Sequence, residues 1–222
     1  MPKLFRIDSP FTEAMTKMFD LIALNLVFLL CCLPIITIGA SCTALHTIAM
    51  KIAAGYEPPI LKSFFMAFKS NWKQATVTWF LLLAAGGFLY VDSLIAAQLG
   101  TGGLPMKLLL GFLSILYLFV LLYIFQIQGR YRNTIRKNLQ NALLMAIRQL
   151  PKTILLAATV ILPVLVSLYG PVSVFLICIV CFLVVGCSLI ACIQDKIILK
   201  IFDYYDQLIE ESITEEEDDT SD

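Results

Sequence analysis

Three polar side chains stand inside apolar segments, where a polar group is costly unless it has a partner or a function. They are Asn25, His46 and Asp92. His46 is the only histidine, and Cys42 precedes it by one helical turn on the same face. A metal site needs more ligands than these two residues, so no metal or cofactor is predicted. We interpret His46 as one end of a hydrogen bond between helices, and we expect Asp92 to reach water at the end of its segment.

The cysteines give a second set of groups that are able to do chemistry. All seven lie in apolar segments: Cys31, Cys32, Cys42, Cys178, Cys181, Cys187 and Cys192. The spacing Cys178-x-x-Cys181 is typical of redox and zinc motifs, but this pair lies in the uncharged run 172–194. We therefore predict that the cysteines pack as small apolar side chains, and that they form no disulfide framework.

Catalytic signatures are absent from the sequence. It contains no H-E-x-x-H, no G-x-S-x-G and no G-x-x-x-x-G-K-[ST] motif. One histidine and one aspartate within the apolar segments are too few groups for intramembrane proteolysis. The sequence therefore predicts a protein that is not an enzyme and has no catalytic residues.

The elements that position these side chains are membrane helices. Of the 222 residues, 59% are hydrophobic and 14% charged, and the mean hydropathy is +0.87, whereas a soluble domain carries roughly a quarter charged residues. Four apolar segments are long enough to cross a bilayer as helices: 75–97, 108–128, 153–169 and 172–194. The sequence thus predicts an all-α, polytopic membrane protein.

The distribution of lysine and arginine predicts the orientation of these segments. Basic side chains cluster in 51–73 and in 130–152, whereas the connections near 98–107 and 170 carry Lys107 alone. Positive loops stay on the cytoplasmic side, so we expect a cell-membrane protein with both termini in the cytoplasm. The predicted cytoplasmic basic surface consists of Lys69, Lys73, Arg130, Arg132, Arg136, Lys137, Arg148 and Lys152. We expect it to contact anionic membrane lipid and not nucleic acid.

The stretch LNLVFLLCCLPIITIGAS, residues 24–41, decides how often the chain crosses. Pro34 cannot continue a helix normally, and Thr37 and Gly39 suit a turn. A hairpin here gives six membrane helices and a cytoplasmic N-terminus, whereas one crossing by 21–54 gives five. We favour six, and within the hairpin we expect Asn25 to hydrogen-bond across to the second arm.

A shift of 79 residues indicates an internal repeat. FMAFKSNWKQ (65–74) aligns with LMAIRQLPKT (144–153), and 29–54 aligns with 108–133. This pattern predicts related units over about 29–99 and 108–178, and each of the first two stretches reads as a short amphipathic helix at the membrane interface. A single membrane domain is expected over 1–206. It is followed by an acidic, disordered cytoplasmic tail over 207–222.

Parts of this sequence resemble those of a known protein family. The matching residues are Asp20, Leu24-Asn25, Leu33-Pro34-Ile35, Thr37 to Ser41 and Ala44-Leu45, with later stretches in 64–76 and 132–142. They are similar to the YesL-like integral membrane proteins of Gram-positive bacteria. The resemblance covers about residues 5–205. That family has no established activity. Its genes often lie beside carbohydrate ABC transporters and glycoside hydrolases, which implies a role near sugar uptake.

Two functions fit these expectations. The first is a non-enzymatic accessory or regulatory membrane protein, associated with the subunits of a carbohydrate ABC transporter. The alternative is a small transporter or channel that acts as a homo-oligomer, with Asn25, His46 and Asp92 lining its path.

Overall fold

The structure, a computed structural model, describes residues 10–98 and 103–219, and side chains within 15–98 and 103–203. This part of the chain is helical and contains no strand. Its helices are α1 (Pro10–Cys32), α2 (Ile38–Ala53), α3 (Ile60–Gln98), α4 (Leu104–Arg130), α5 (Ile135–Arg148), α6 (Leu150–Tyr169), α7 (Val172–Cys181) and α8 (Cys187–Asp219). A 3₁₀ turn, Ile35–Thr37, joins α1 to α2, and a π-helical segment, Phe182–Gly186, joins α7 to α8.

Six helices of the described chain have the length and apolar composition of membrane spans. The matching segments are Met15–Cys32, Ile35–Ala53, Ile60–Gln98, Leu104–Arg130, Leu150–Tyr169 and Val172–Asp203. This confirms the all-α, polytopic fold, with six apolar helices in the described chain. The side of the membrane on which each end lies stays a prediction, and residues 1–9, which carry the first positive charges, lie outside the described residues.

The break between α1 and α2 is made where the sequence predicts it. Pro34 has no N–H to continue the helix, and the Thr37 hydroxyl lies 2.6 Å from the Cys31 carbonyl oxygen and 2.7 Å from that of Pro34. Gly39 has a different role from the predicted one. It lies inside α2, where a Cβ would overlap the Ala75 carbonyl and the Trp79 Cβ, so it permits close packing on α3.

Of the two predicted interfacial helices, one is a separate helix in the structure and the other is part of a longer helix. Residues 135–148 form the separate helix α5, which buries Asn138, Ala142 and Ala146 on one side. The corresponding stretch 65–74 is no separate helix, because α3 runs without a break from Ile60 to Gln98. Nothing between 65 and 80 interrupts α3: the segment has neither glycine nor proline.

The stretches that suggested a duplication also differ in structure. The segment 29–54 contains the helix break at 33–37, whereas its counterpart 108–133 is one helix as far as Arg130. The predicted acidic tail differs as well, since α8 continues as helix to Asp219. Glutamate, isoleucine and leucine are acceptable helix residues, and an established helix is extended at little cost. Residues 220–222 lie outside the described chain.

The bundle has two unlike ends, which fixes where the polar side chains lie. We call one end the basic end, because Lys51, Lys62, Arg130 and Arg132 lie there. At this end α2 and α4 end, α3 begins and α5 packs. At the opposite end α3 is followed by α4, and α6 by α7. The core is concentrated toward the basic end. One cluster joins Leu24 and Phe28 of α1 to Ile48 of α2 and Phe64 of α3. A second cluster joins α4 to α5, α6 and α8 through Tyr123, Ala146, Leu156 and Ile198.

Candidate functional site

A buried contact between an imidazole and a carboxyl group joins α2 to α8. The Nδ1 atom of His46 lies 3.1 Å from both carboxylate oxygens of Asp195. The Asp195 side chain is fully buried, and that of His46 is 14% exposed. The prediction that His46 bonds between helices is thus confirmed. The contact joins an imidazole nitrogen to a carboxyl group, two groups that are able to form a hydrogen bond with each other.

Asp195 was missed in the sequence, where it directly follows the last apolar segment, 172–194. The signal that would have identified it is the apolar pattern Ile197, Ile198, Ile201 and Phe202, which continues the helix past the aspartate. Ile198, Ile201 and Phe202 are fully buried. A helix that buries these positions also carries Asp195 on its buried face.

Amide side chains extend the polar group beside this pair. Gln194 Nε2 donates to the Thr159 hydroxyl at 3.0 Å, and Gln126 Nε2 approaches Gln194 Oε1 at 3.4 Å. The Gln126 Oε1 atom is buried and has no hydrogen-bond partner. A cavity of about 330 Å³ lies alongside, lined by Cys42, His46, Trp79 and Gln194 together with aliphatic side chains of α4 and α6. The cavity is therefore mainly apolar, with the polar groups of His46 and Gln194 in its wall.

Asn25 forms a second buried polar contact, but not the predicted one. Its Nδ2 lies 3.2 Å from the Phe182 carbonyl and 2.7 Å from that of Leu183, and its Oδ1 accepts the Ser188 N–H at 3.1 Å. These partners belong to the π-helical segment and to α8, so the expected bond across the hairpin to α2 is wrong. The π-helical segment changes the carbonyl–amide pairing of the backbone, and Asn25 bonds to two carbonyls within it and to the Ser188 N–H that follows it.

Asp92 lies apart from both contacts. It stands in the last part of α3, toward the opposite end, and its side chain is partly exposed. Asn25, His46 and Asp92 are therefore not brought together by the described fold. Among the described residues no group of three or more histidine, cysteine, aspartate or glutamate side chains is placed to hold a metal ion.

The predicted basic residues gather at the basic end. Lys69, Lys73, Arg132, Arg136, Lys137 and Arg148 are exposed, and Lys152 is partly buried. Arg130 is more engaged than the others: its guanidinium lies 3.3 Å from Asp203 and its Cζ lies 5.3 Å from the centroid of the Phe202 ring. Helix α5 presents Arg136, Lys137 and Arg148 on the surface because its alanines face the core.

Comparisons with known proteins place these features in a family context. Residues 21–93 match the family described as "Protein of unknown function, DUF624". The chain is 27% identical over 165 residues to "Uncharacterized protein YesL" of Bacillus subtilis (strain 168), an alignment that covers 74% of each chain. No solved structure matches. The resemblance read from the opening residues is confirmed, and the matched segment contains Asn25, the hairpin turn, His46 and most of α3.

Proposed function

We propose that this YesL-like membrane protein is a non-enzymatic accessory or regulatory component that binds a partner complex through its basic end. The observation that carries the proposal is helix α5, which lies outside the spans and is anchored by buried alanines. Its exposed face carries Arg136, Lys137 and Arg148. A rigid, positively charged surface beside a membrane fits an acidic surface on a neighbouring protein.

The expected partner is the subunit assembly of a carbohydrate ABC transporter. This choice rests on the resemblance to the YesL-like family, and the basic surface adds the requirement that the partner face be acidic. In-cell cross-linking of the full chain, followed by affinity purification and mass spectrometry, tests it. We expect transporter subunits to be recovered in amounts comparable to the tagged protein.

A matched pair of variants separates partner binding from general charge effects. The double variant Arg136→Gln with Lys137→Gln removes two charges from α5, whereas Lys196→Gln with Lys200→Gln removes two exposed charges from α8. We expect the first to lower partner recovery at least fivefold and the second to leave it unchanged. Equal recovery with both variants, or recovery of the protein alone, contradicts the accessory role.

The alternative of a small transporter is favoured by one observation, the His46–Asp195 pair beside its cavity. Purified protein in liposomes that contain a pH-sensitive dye distinguishes the two functions. The accessory role predicts proton flux no faster than in empty liposomes. Flux that is lost in Asp195→Asn and kept in Asp92→Asn would instead support transport.

A further inference from the structure

A second cavity, of about 230 Å³, opens at the basic end between α2, α3 and the end of α4. Cations line it from two sides, Lys51 from α2 and Arg130 with Arg132 from α4 and the chain after it. Among the described residues Lys51 and Arg132 form no ion pair, and no acidic side chain lines the cavity. Of the nearby acids, Asp203 contacts Arg130, and Glu57 lines a neighbouring cavity together with Lys51.

The floor of this cavity contains an unpaired amide. Gln128 is 2% exposed, and neither its Nε2 nor its Oε1 has a hydrogen-bond partner. A buried amide without a partner is destabilising, so its presence beside a cavity points to a ligand that completes its bonds. Side chains of Thr47, Ser63, Ser70 and Asn71 line the same space. The Thr47 and Ser70 hydroxyls and the Asn71 amide each donate to a backbone carbonyl, so they would contact a ligand through their remaining hydrogen-bonding capacity.

We propose that this cavity binds a phosphate monoester. Such a group carries up to two negative charges and accepts several hydrogen bonds, which suits two unpaired cations, a side-chain amide and neutral hydroxyls. The source is either a soluble phosphorylated compound or a lipid headgroup, because the cavity lies where the spans end. The site goes beyond the proposed partner role and does not depend on it.

The test uses the purified full chain in nanodiscs of zwitterionic lipid. For the soluble source, inorganic phosphate is titrated against sulfate at equal ionic strength, and the thermal midpoint Tm is followed, because a ligand that binds the folded state raises it. For the lipid source, phosphatidic acid is compared with phosphatidylglycerol, which is anionic but a diester. A saturable rise in Tm with phosphate or with phosphatidic acid, and not with its control, supports the site and identifies the source.

Three variants make the result specific. Arg132→Gln is expected to weaken binding about tenfold, whereas Arg136→Gln, on α5 and outside the cavity, leaves it unchanged. Gln128→Leu is expected to raise Tm without ligand while it abolishes the shift on ligand addition, since it removes both the unpaired amide and the ligand's partner. Equal loss in Arg136→Gln, or no selective shift with either probe, overturns the proposal.

A different observation concerns how deep the α1–α2 hairpin reaches. Trp79 Nε1 donates to the Ile35 carbonyl at 3.0 Å, and Gly39 packs on Ala75 and Trp79, so the turn lies beside the middle of α3. Residues 80–98 of α3 then continue for about 28 Å at about 1.5 Å per residue. Contacts with α4 and α8 place α2 at the same depth. Gly129, at the basic end of α4, lies against Thr43 and Thr47, and Asp195 of α8 lies against His46.

The turn itself is built for an apolar environment. Leu33 is 78% exposed and Ile35 is 66% exposed, so the surface of the turn is apolar, whereas that of a loop in water would be polar. Three of its carbonyls nevertheless have a donor: that of Pro34 accepts the Thr37 N–H at 3.0 Å, that of Cys31 lies 2.6 Å from the Thr37 hydroxyl, and that of Ile35 accepts the Trp79 ring N–H. Irregular backbone inside a bilayer requires such pairing.

We infer that α1 and α2 form a re-entrant hairpin, whose turn lies within the hydrocarbon and never reaches the surface at which α3 ends. Thiol labelling with a membrane-impermeant maleimide tests this, applied to intact cells and to inverted vesicles, with the unsubstituted chain as the blank for its own cysteines. Lys107→Cys is expected to react from one side and Glu57→Cys from the other. Ile36→Cys should react from neither side, but should react after denaturation.

Each remaining result overturns the re-entrant hairpin. Labelling of Ile36→Cys from the Lys107→Cys side would show a full crossing. Labelling from the Glu57→Cys side would show a hairpin that lies outside the hydrocarbon.

Discussion

Near the basic end Asn25 and His46 bond to another helix, whereas toward the opposite end Ser93, Ser114 and Ser167 bond to carbonyls of their own helices. The buried polar side chains are concentrated in the first region, where directional bonds fix one arrangement of α1, α2, α4 and α8. In the second region, α3, α4, α6 and α7 bury little beyond Ala96 and Leu110. Bonds between helices thus contribute more to the first region, although the Tyr117 hydroxyl of α4 also donates to the Leu82 carbonyl of α3 at 3.2 Å, beyond the level of the hairpin turn.

The largest loss of stability is expected when the buried contact between His46 and Asp195 is removed. His46→Ala leaves Asp195 without its partner in an apolar core, and breaking a buried pair in this way costs about 3–5 kcal/mol. We expect that loss in the free energy of unfolding, measured by denaturant titration in detergent. Asp92→Asn, at the partly exposed position toward the opposite end, is the control and should change little. Replacing both members, as His46→Leu with Asp195→Leu, is expected to restore most of the stability.

A smaller effect is expected at Asn25. The variant Asn25→Ala leaves the Ser188 N–H and the Leu183 carbonyl without this partner, at about 1–3 kcal/mol. Hydrogen exchange should rise selectively over Phe182–Gly186. The matched control is Asn71→Ala, because Asn71 bonds to Ala67 of its own helix. Equal losses in the two variants would remove the distinction between bonds across helices and bonds within one.

Packing gives the third test. Gly39→Ala forces α2 away from α3, because the new Cβ overlaps backbone at Ala75, and overpacking costs about 1–3 kcal/mol. Gly87→Ala is the control, since a Cβ there meets nothing within 4 Å. Thermal midpoints of the two variants measure the difference. A Gly39→Ala protein as stable as the Gly87→Ala protein would contradict the close approach.

The smallest effect is expected where polar groups bond within one helix. Ser114→Ala removes a hydroxyl that donates to the Leu110 carbonyl at 2.8 Å. That carbonyl also lies in the helical ladder, so we expect a change within about 0.5 kcal/mol, measured by the same denaturant titration. A loss above 1 kcal/mol would show that the region toward the opposite end depends on specific bonds as well.

Local features of this fold were predictable from the sequence, and distant pairings were not. Pro34 and Thr37 predicted the helix break because a missing N–H and a local hydroxyl act within a few residues. His46 was recognised as one end of a hydrogen bond between helices, but its partner stands 149 residues later, and nothing near His46 identifies Asp195. The same limit explains Asn25, whose partners lie in the π-helical segment and α8.

Gln128 escaped attention for a different reason. It ends an apolar segment, where an amide reads as a boundary residue in contact with water. In the fold it is buried, and it lines a cavity together with residues of α2 and α3. The continuity of α3 was missed because the basic, aromatic segment 65–74 has the pattern of an interfacial helix, and periodicity does not show whether two helical segments are joined.

The bonds between the first helices and the last one also govern the order of folding. Asn25 and Ser188 are 163 residues apart, and His46 and Asp195 are 149 apart. Because the chain is made from the N-terminus, α1 and α2 enter the membrane before the partners of Asn25 and His46 have been synthesised. Contacts of such high sequence separation form late. Completion of the bundle therefore requires that synthesis has reached α8. A chain truncated before Asp195 leaves His46 without its partner, and one truncated before Phe182 leaves Asn25 without its partners as well.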